Sequence, residues 1–515
     1  MEKEFLDKNE RLKQANNFLN DKIKFNHKFW VLGCGSVGSN ILYMLAKKIQ
    51  DIDIEVFDGD KTMVNGVNII ERRVDHVRKV TKANIKLTQK FITEKNHKKL
   101  LQVKKDDIIV DCSFNVCTIS LFDLCYETGC SYVNSSIEIW ENNVTIPHKN
   151  TLKWFHDKLI EANHKKTPTN NFIVCHGMNP GVVSYMAKVG LLRIWKDKKK
   201  GKIPENPNYA EIAQELGVRT IHISEKDTQI ALKEHGQYYN TWASKAISMY
   251  DEAESNVEFS WGTHEDESNQ KLNEIIDMPK SWKDERYMIL KERGMSMYGV
   301  SYVPNSGMYI GMIMQHYENL TIGNKLTVKK GDKIVYKPSV YYVYHPSDNT
   351  MLSFYEYKEN NLEKQEITNL MTSDIVKGED ELGLSMFLED GSIYWVGSLI
   401  DIKEARQLFN NEMDDFVNAT TVPVAASYMA ATMFLIKRIE KKEYHGFIAA
   451  DDMPCNEVFP ILLPFMGPFV FMKVPKDDNN WHCDKYVKRF EGGNDEGNKD
   501  LCKNKWTFSE FVVEF

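Results

Sequence analysis

The chain has 515 residues, 42% of them apolar and 27% charged, which is ordinary for a soluble globular protein but too long for one compact core, so two or three domains are expected. A net charge of −7, from 66 basic against 73 acidic residues, argues against a nucleic-acid binder and is compatible with a cationic substrate. The nine cysteines include no C-x-x-C pair, which leaves zinc-ribbon and redox-motif readings without support.

The opening residues Met1-Glu2-Lys3-Glu4 are charged and carry no apolar leader. No uninterrupted apolar run reaches the length of a membrane span, and prolines break the most apolar stretch, 461–471. With an odd cysteine count, a reduced, cytoplasmic setting is expected, without membrane or nucleic-acid partners and without a metal. Residues 1–27 are polar and read as a helix, as for a lid or dimer arm.

The apolar run Phe29-Trp30-Val31-Leu32 enters Gly33-Cys34-Gly35-Ser36-Val37-Gly38, and a helical apolar pattern through Ile41, Leu42, Met44 and Leu45 leaves it. This G-x-G-x-x-G on a strand–turn–helix is a dinucleotide-binding pattern. Gly33 permits the tight turn, Gly35 lets a pyrophosphate approach the backbone, and Gly38 lets the helix pack on the strand. The N–H groups that open the helix, at Ser36, Val37 and Gly38, would then face phosphate. A second strand, 52–57, ends at Asp58, 20 residues after Gly38, where such folds hold the adenosine ribose. A carboxylate there favours NAD over NADP, and Lys61 close behind keeps NADP from being excluded. The basic stretch from Arg72 to Lys90 reads as a solvated helix face.

Asp107 to Ser113 is a buried-strand pattern, 116–128 a helix, and 131–136 another strand, which implies parallel pairing. Ligands bind beyond the carboxyl ends of such strands. Asp111, Ser113, Ser135, Ser136 and Glu138 are therefore expected to line the crevice, with Glu138 at its mouth. Residues 147–170 read as a linker. A strand then runs into Cys175-His176-Gly177-Met178-Asn179-Pro180-Gly181, where Asn179 suits a helix cap and Pro180 the first helical turn. That helix start is expected to face the nicotinamide or the substrate. A charged loop is expected over 195–210.

From Val218 strand patterns dominate: 218–229, a short stretch at 238–242, 259–265, 307–316, 325–329, 333–337, 340–344 and 394–397. The region is rich in aromatics and acids. A helix over 425–439 is apolar enough to be buried or to face a partner subunit. The polar tail, 477–500, reads as loop. The expected architecture is α/β: a Rossmann-type dinucleotide-binding domain over 1–150, an α+β catalytic and dimerisation domain with a mixed sheet over 151–475, and a tail over 476–515 that returns to the first domain.

The glycine turn, Asp111-Cys112-Ser113, Cys175 to Gly181, Ser224-Glu225-Lys226-Asp227-Thr228-Gln229, Asn240-Thr241-Trp242, Ser260-Trp261-Gly262-Thr263-His264-Glu265, Tyr344-His345-Pro346, Asp380-Glu381-Leu382-Gly383 and Tyr394-Trp395-Val396-Gly397 stand in one order. In that order they resemble bacterial-type homospermidine synthase, from about residue 29 to about 472. The resemblance implies a fold related to saccharopine dehydrogenases, bound NAD, a homodimer, and homospermidine made from putrescine, with spermidine a further candidate donor. It implies that Trp242 holds a substrate ammonium by cation–π attraction and that Glu138 and Glu225 are acids of the diamine pocket. Asn179 and His316 would line the reacting end. A further pocket acid falls near Glu252, with Asp251 and Glu254 as alternatives. Glu225 and His316 are both candidates for the base. Two other readings are a saccharopine dehydrogenase-like oxidoreductase acting on an amino acid and a non-enzymatic NAD sensor.

Overall fold

The computed structural model describes residues 6–64, 66–140, 151–199, 201–232, 239–242, 246–265, 278–363, 369–475 and 506–513. In the first domain β1 (Phe29–Leu32), β2 (Ile54–Phe57), β3 (Ile85–Thr88), β4 (Ile108–Asp111), β5 (Ser131–Asn134) and β6 (Asn171–Val174) run parallel. Covered on both faces, β1, β2 and β4 to β6 are buried at every residue, which is why they read as largely apolar runs, with polar members such as Glu55, Asp111 and Asn171 buried among them.

The second sheet is mixed. Its long members are β7 (Val218–Asp227), β8 (Asn256–Ser260), β9 (Tyr287–Arg293), β10 (Tyr298–Val303), β11 (Gly307–Met314), β12 (Ser339–His345), β13 (Glu379–Leu388) and β14 (Ile393–Asp401). Then β15 (Gly446–Ala449) returns to the first sheet beside β6, giving seven strands in the order β15-β6-β5-β4-β1-β2-β3. Finally β16 (Phe469–Lys473) and β17 (Val512–Val513) close the edges of the second, in the order β16-β14-β13-β7-β12-β11-β10-β17, with β8 and β9 branching from β12. At its centre β7 lies parallel to β12 and antiparallel to β13, with Glu225 opposite Tyr344 on one side and Leu382 on the other.

Four helices bind the two sheets together: α1 (Lys8–Asn20), α2 (Ser36–Lys48), α3 (Val182–Lys199) and α4 (Thr421–Lys441). The longest, α4, packs along α2, and Asn40 donates to the Thr421 hydroxyl at 3.1 Å. By length and composition α4 would pass for a membrane span; here it is a core helix buried between the domains. Pro423 is tolerated because it stands in the first turn, where no intrahelical N–H is needed.

Several expectations shift. The first domain does not stop at 150, because β6 and β15 complete its sheet; a chain that leaves a parallel sheet can return much later to its edge. The N-terminal helix packs on its own chain: α1 buries Arg11, Ala15 and Leu19 against the body. The expected linker contains a helix, Leu152–His164, and α3 runs on to Lys199 where a loop was expected. The expected strand at 325–329 is the end of a helix, Tyr317–Lys325, followed by a strand at Val328–Lys330. The chain end, 506–513, joins the second sheet rather than the first domain: Phe508 and Phe511 are buried beside Tyr341 and Trp395, and β17 pairs with β10. The expected loop at 477–500 lies outside the described residues.

Candidate functional site

The glycine turn joins β1 to α2. Gly33 has φ +81°, and a Cβ there would meet the Cys112 carbonyl oxygen at 2.6 Å; a Cβ on Gly38 would meet the Gly33 carbonyl oxygen at 2.3 Å. Both contacts are backbone, so neither position admits a side chain. Gly35 stands before the first helical residue, and no side chain caps α2. The N–H groups at the start of α2, from Ser36, Val37 and Gly38, are therefore presented as an anion cradle of the kind a pyrophosphate needs. Asp58, at the end of β2, accepts from the Cys34 N–H at 2.8 Å and the Asp60 N–H at 2.9 Å, which fixes its carboxylate against the turn. Arg73 lies buried beneath and donates to the Cys34 carbonyl at 3.2 Å. The basic stretch is thus not only solvated surface; a cation inside a helical apolar pattern with Ile70, Val74 and Val77 was the available signal.

At the crevice floor Asp111 is buried. Its carboxylate accepts from Tyr132 at 2.8 Å and from the N–H and hydroxyl of Ser113, and burial pushes its pKa up to about 6. It shapes the strand end instead of presenting a free carboxylate. Ser136 is exposed and donates to Glu138 at 3.0 Å, while the Asn115 N–H donates to the other Glu138 oxygen at 3.2 Å. Burial of its carboxyl, with Asp111 and Asp251 near, raises the Glu138 pKa to about 8.

The segment from Cys175 to Gly181 departs from the expected cap. A turn in which the Gly177 N–H donates to the Pro180 carbonyl delays the helix to Val182, so Pro180 is not its first residue. Freed from capping, the Asn179 amide donates to Glu225 Oε2 at 2.7 Å. His176 is fully buried between the hydroxyls of Tyr185 and Ser427, and burial lowers its pKa to about 4, so it is a neutral structural group.

Around Glu225 most of the predicted pocket residues converge. Tyr342 Oη donates to Glu225 Oε2 at 2.6 Å. The Tyr342 ring lies 4.4 Å from the His316 ring and stacks on Tyr344 at 5.3 Å. Trp242 meets Tyr344 edge-on at 5.6 Å, and its carbonyl accepts the Ser36 hydroxyl at 2.5 Å. One continuous line of contacts therefore runs from the glycine turn through Trp242, Tyr344 and Tyr342 to Glu225 and Asn179. His316 contacts Glu318 at 3.0 Å and Glu252 at 3.1 Å. Of the three neighbouring acids it is thus Glu252 that reaches His316; Glu254 is taken by Tyr357 and Arg293. Pro180 follows Asn179 in the turn, and Glu138, on the first domain, has Asp251 of the second among its charged neighbours.

Burial pushes Glu225 up to about 7, although the bonds from Tyr342 and Asn179 and the nearby His316 charge pull it down. Burial alone would lower His316, but Glu318 and Glu252 together carry it up to about 10. A group of pKa about 7 and a fixed cation thus stand side by side. Asp227 and Asp380 are also buried here and were not singled out as site residues. The corner at Trp261 to Glu265 is structural: His264 contacts the Trp506 carbonyl at 3.0 Å, and Glu265 accepts from Ser339 and the Phe508 N–H. Among the described residues no group of three or more His, Cys, Asp or Glu side chains is placed to hold a metal.

Residues 29–171 match the family model of the saccharopine dehydrogenase NADP binding domain. The chain is 25% identical over 460 residues to a homospermidine synthase of Mesorhizobium japonicum, an alignment covering 85% of this chain and 88% of that one. It is 25% identical over 462 residues to a homospermidine synthase of Blastochloris viridis, covering 85% and 90%. The crystal structure of a homospermidine synthase from Legionella pneumophila in complex with NAD superposes with a TM-score of 0.79 at 24% identity, covering 96% of this chain and 99% of that one. The resemblance carried by the motifs therefore extends along most of the chain, and the fold is the same.

Proposed function

We propose that this chain, similar to homospermidine synthases over 85% of its length, is an NAD-dependent aminobutyl transferase that joins two putrescines into homospermidine and releases ammonia. The observation that carries the reading is the contact line from Ser36 to Glu225, which ties an acidic, aromatic-walled pocket to a dinucleotide cradle. Gly33, Gly35, Gly38 and the first N–H groups of α2 would hold the pyrophosphate, and Asp58 the ribose. NAD held there would supply a hydride acceptor and donor for a reaction with no net redox change.

The chain's own residues do the rest. Putrescine is a dication with an apolar middle, and burying an ammonium without partners is costly. Trp242 offers a ring face, and Glu225, Glu252 and Glu138 offer carboxylates. One amine must lose a proton before its carbon can be oxidised. Glu225, with a pKa of about 7, can accept that proton at neutral pH. His316, held protonated up to about pH 10, cannot; it lowers the cost of the Glu225 charge and orients the Tyr342 ring. Asn179 fixes the Glu225 oxygen that faces it. The second amine then attacks the oxidised carbon and ammonia leaves; enclosure between the two domains protects the hydrolysable intermediate. Leu352, Tyr355 and Leu362, exposed on and just after the helix Asp348–Glu359, offer apolar surface to a second copy, and a native-mass measurement reads whether a dimer forms.

Purified protein incubated with putrescine and NAD tests the reading. Homospermidine and ammonia without accumulated NADH are expected. A steady change in NADH would favour a saccharopine-type oxidoreductase, and no turnover would favour a sensor. Trp242→Ala should raise the KM for putrescine by about 2-fold to 30-fold, the span of roughly 0.5–2 kcal/mol for a cation–π contact, and Trp242→Phe should do so less. Equal losses would mean that the ring only packs. Glu138 is protonated below about pH 8 and then offers no charge, so KM should fall as pH rises from 7 to 9. Glu138→Gln should flatten that dependence; an unchanged slope would remove Glu138 from the pocket.

A further inference from the structure

We propose that Ser36 is a positioning residue that couples the two halves of the site, so that a dinucleotide in the cradle and an ammonium on the Trp242 ring each hold the other in place. The inference deepens the transferase reading and rests on it for the identity of the amine. The Ser36 hydroxyl has a single proton and gives it to the Trp242 carbonyl at 2.5 Å. None is left for a phosphate oxygen, so at this residue an anion in the cradle is met by the backbone N–H alone. One residue, 4% exposed, thus serves the cradle with its backbone and the substrate wall with its side chain.

The tripeptide Asn240-Thr241-Trp242 is gripped twice from the same helix. Ser36 and Asn40 stand one turn apart on one face of α2. Ser36 reaches Trp242 directly. Asn40 donates to the Thr421 hydroxyl at 3.1 Å, at the start of α4. There Asn418 accepts from the N–H groups of Thr420 and Thr421, and its amide donates to the Thr241 carbonyl at 2.6 Å. The Thr241 hydroxyl donates to Asp227 at 2.8 Å, and the Trp242 N–H donates to the Asn240 side chain at 3.0 Å. Ser36, Asn40, Asn240, Thr241 and Asn418 are all buried. These bonds, made out of contact with water, fix the backbone of Trp242 at both its N–H and its carbonyl.

The first turn of α2 is the soft end of this set. No side chain caps it, and the N–H groups that open it have no partner inside the helix. Bonded to a pyrophosphate, Ser36, Val37 and Gly38 would gain the missing cap, and the hydroxyl that holds Trp242 would be fixed with them. Conversely, Trp242 held by an ammonium fixes Ser36 through its carbonyl. Coupling of this kind is equal in both directions. Its use lies in a reaction whose hydride must return from the same dinucleotide: the cofactor is held hardest while an amine is in the pocket.

NADH and putrescine cannot react with one another, because neither offers a carbon for the hydride to enter, so their joint complex with the protein persists and NADH fluorescence reads it. The full chain loaded with NADH is mixed with excess ADP-ribose, which competes for the cradle, and NADH release is timed with and without saturating putrescine. Putrescine should slow release about two- to tenfold in the wild type, the worth of one neutral hydrogen bond. Ser36→Ala keeps the N–H, so the variant should still bind both molecules, but putrescine should no longer slow release. No slowing in the wild type overturns the coupling. Slowing that survives Ser36→Ala means that the amine only blocks the exit, and overturns it too. A variant that no longer holds NADH does the same, because the hydroxyl would then serve the phosphate. Amine analysis of the same preparation separates the two readings: homospermidine formed without coupling sinks the coupling alone, whereas coupling without homospermidine sinks the transferase reading and leaves Ser36 its role.

Discussion

Glu225→Gln should lower kcat for homospermidine formation by about a thousandfold, within the 10²–10⁴ range for loss of a positioned general base. The change is nearly isosteric. Both bonds to the residue run to Oε2, from Asn179 and from Tyr342, and an amide oxygen can accept both. The fold should therefore survive, with an unfolding midpoint close to wild type. What is lost is the titrating group. Glu225 is protonated below about pH 7 and cannot then take a proton from the substrate, so wild-type kcat should fall as pH drops through 7. In the variant that acid limb should vanish. A kcat within tenfold of wild type, with the limb intact, would move the base elsewhere. His316 does not become the substitute, because Glu318 and Glu252 keep its proton in place across the same range.

The first domain was legible because two-sided burial leaves a signature in the residues themselves. Strands β1 and β4 carry three or four consecutive apolar residues, β2 and β5 carry pairs, and turn residues follow β1 and β2. The second domain was less so. Strands β8, β9 and β10 were missed in whole or in part, since their polar members, such as Glu258 and Ser301, are buried and hydrogen-bonded rather than solvent-facing. Alternation then no longer tracks exposure. For the site, Glu225, Asn179, Trp242 and His316 came from the motif resemblance; Asp380 stood in one of those motifs without a role, and Tyr342 in none. Tyr342 and Tyr344 sit two residues apart on one face of β12, and Glu225 and Asp227 do the same on β7, but only the pairing of β7 between β12 and β13 puts those faces together. Register between strands more than a hundred residues apart is not written locally. The packing of the N-terminal helix is hidden for a similar reason: a polar helix looks solvated until its buried Arg11 is matched with Glu404, far along the chain.

That pair, Arg11 and Glu404, should dominate the stability of the N-terminal segment. Arg11 Nε donates to Glu404 Oε1 at 2.8 Å and Nη2 to Oε2 at 3.0 Å, a bidentate pair with both residues at least 95% buried. Arg11 also donates to the Leu6 carbonyl. Glu404→Leu should cost about 3–5 kcal/mol in urea unfolding, because the guanidinium cannot give up its proton and stays charged without a partner. Arg11→Met together with Glu404→Leu should recover most of that loss, since the site then buries only apolar atoms. A single variant within about 1 kcal/mol of wild type would mean that water reaches the pair, and no recovery in the double variant would mean that packing, not charge, set the cost. The consequence reaches the cradle. Through Ala15 and Leu19, α1 packs on α2, the helix whose first turn would face the dinucleotide. Glu404→Leu should therefore also weaken NAD binding, and the double variant should restore it, although neither residue touches the site.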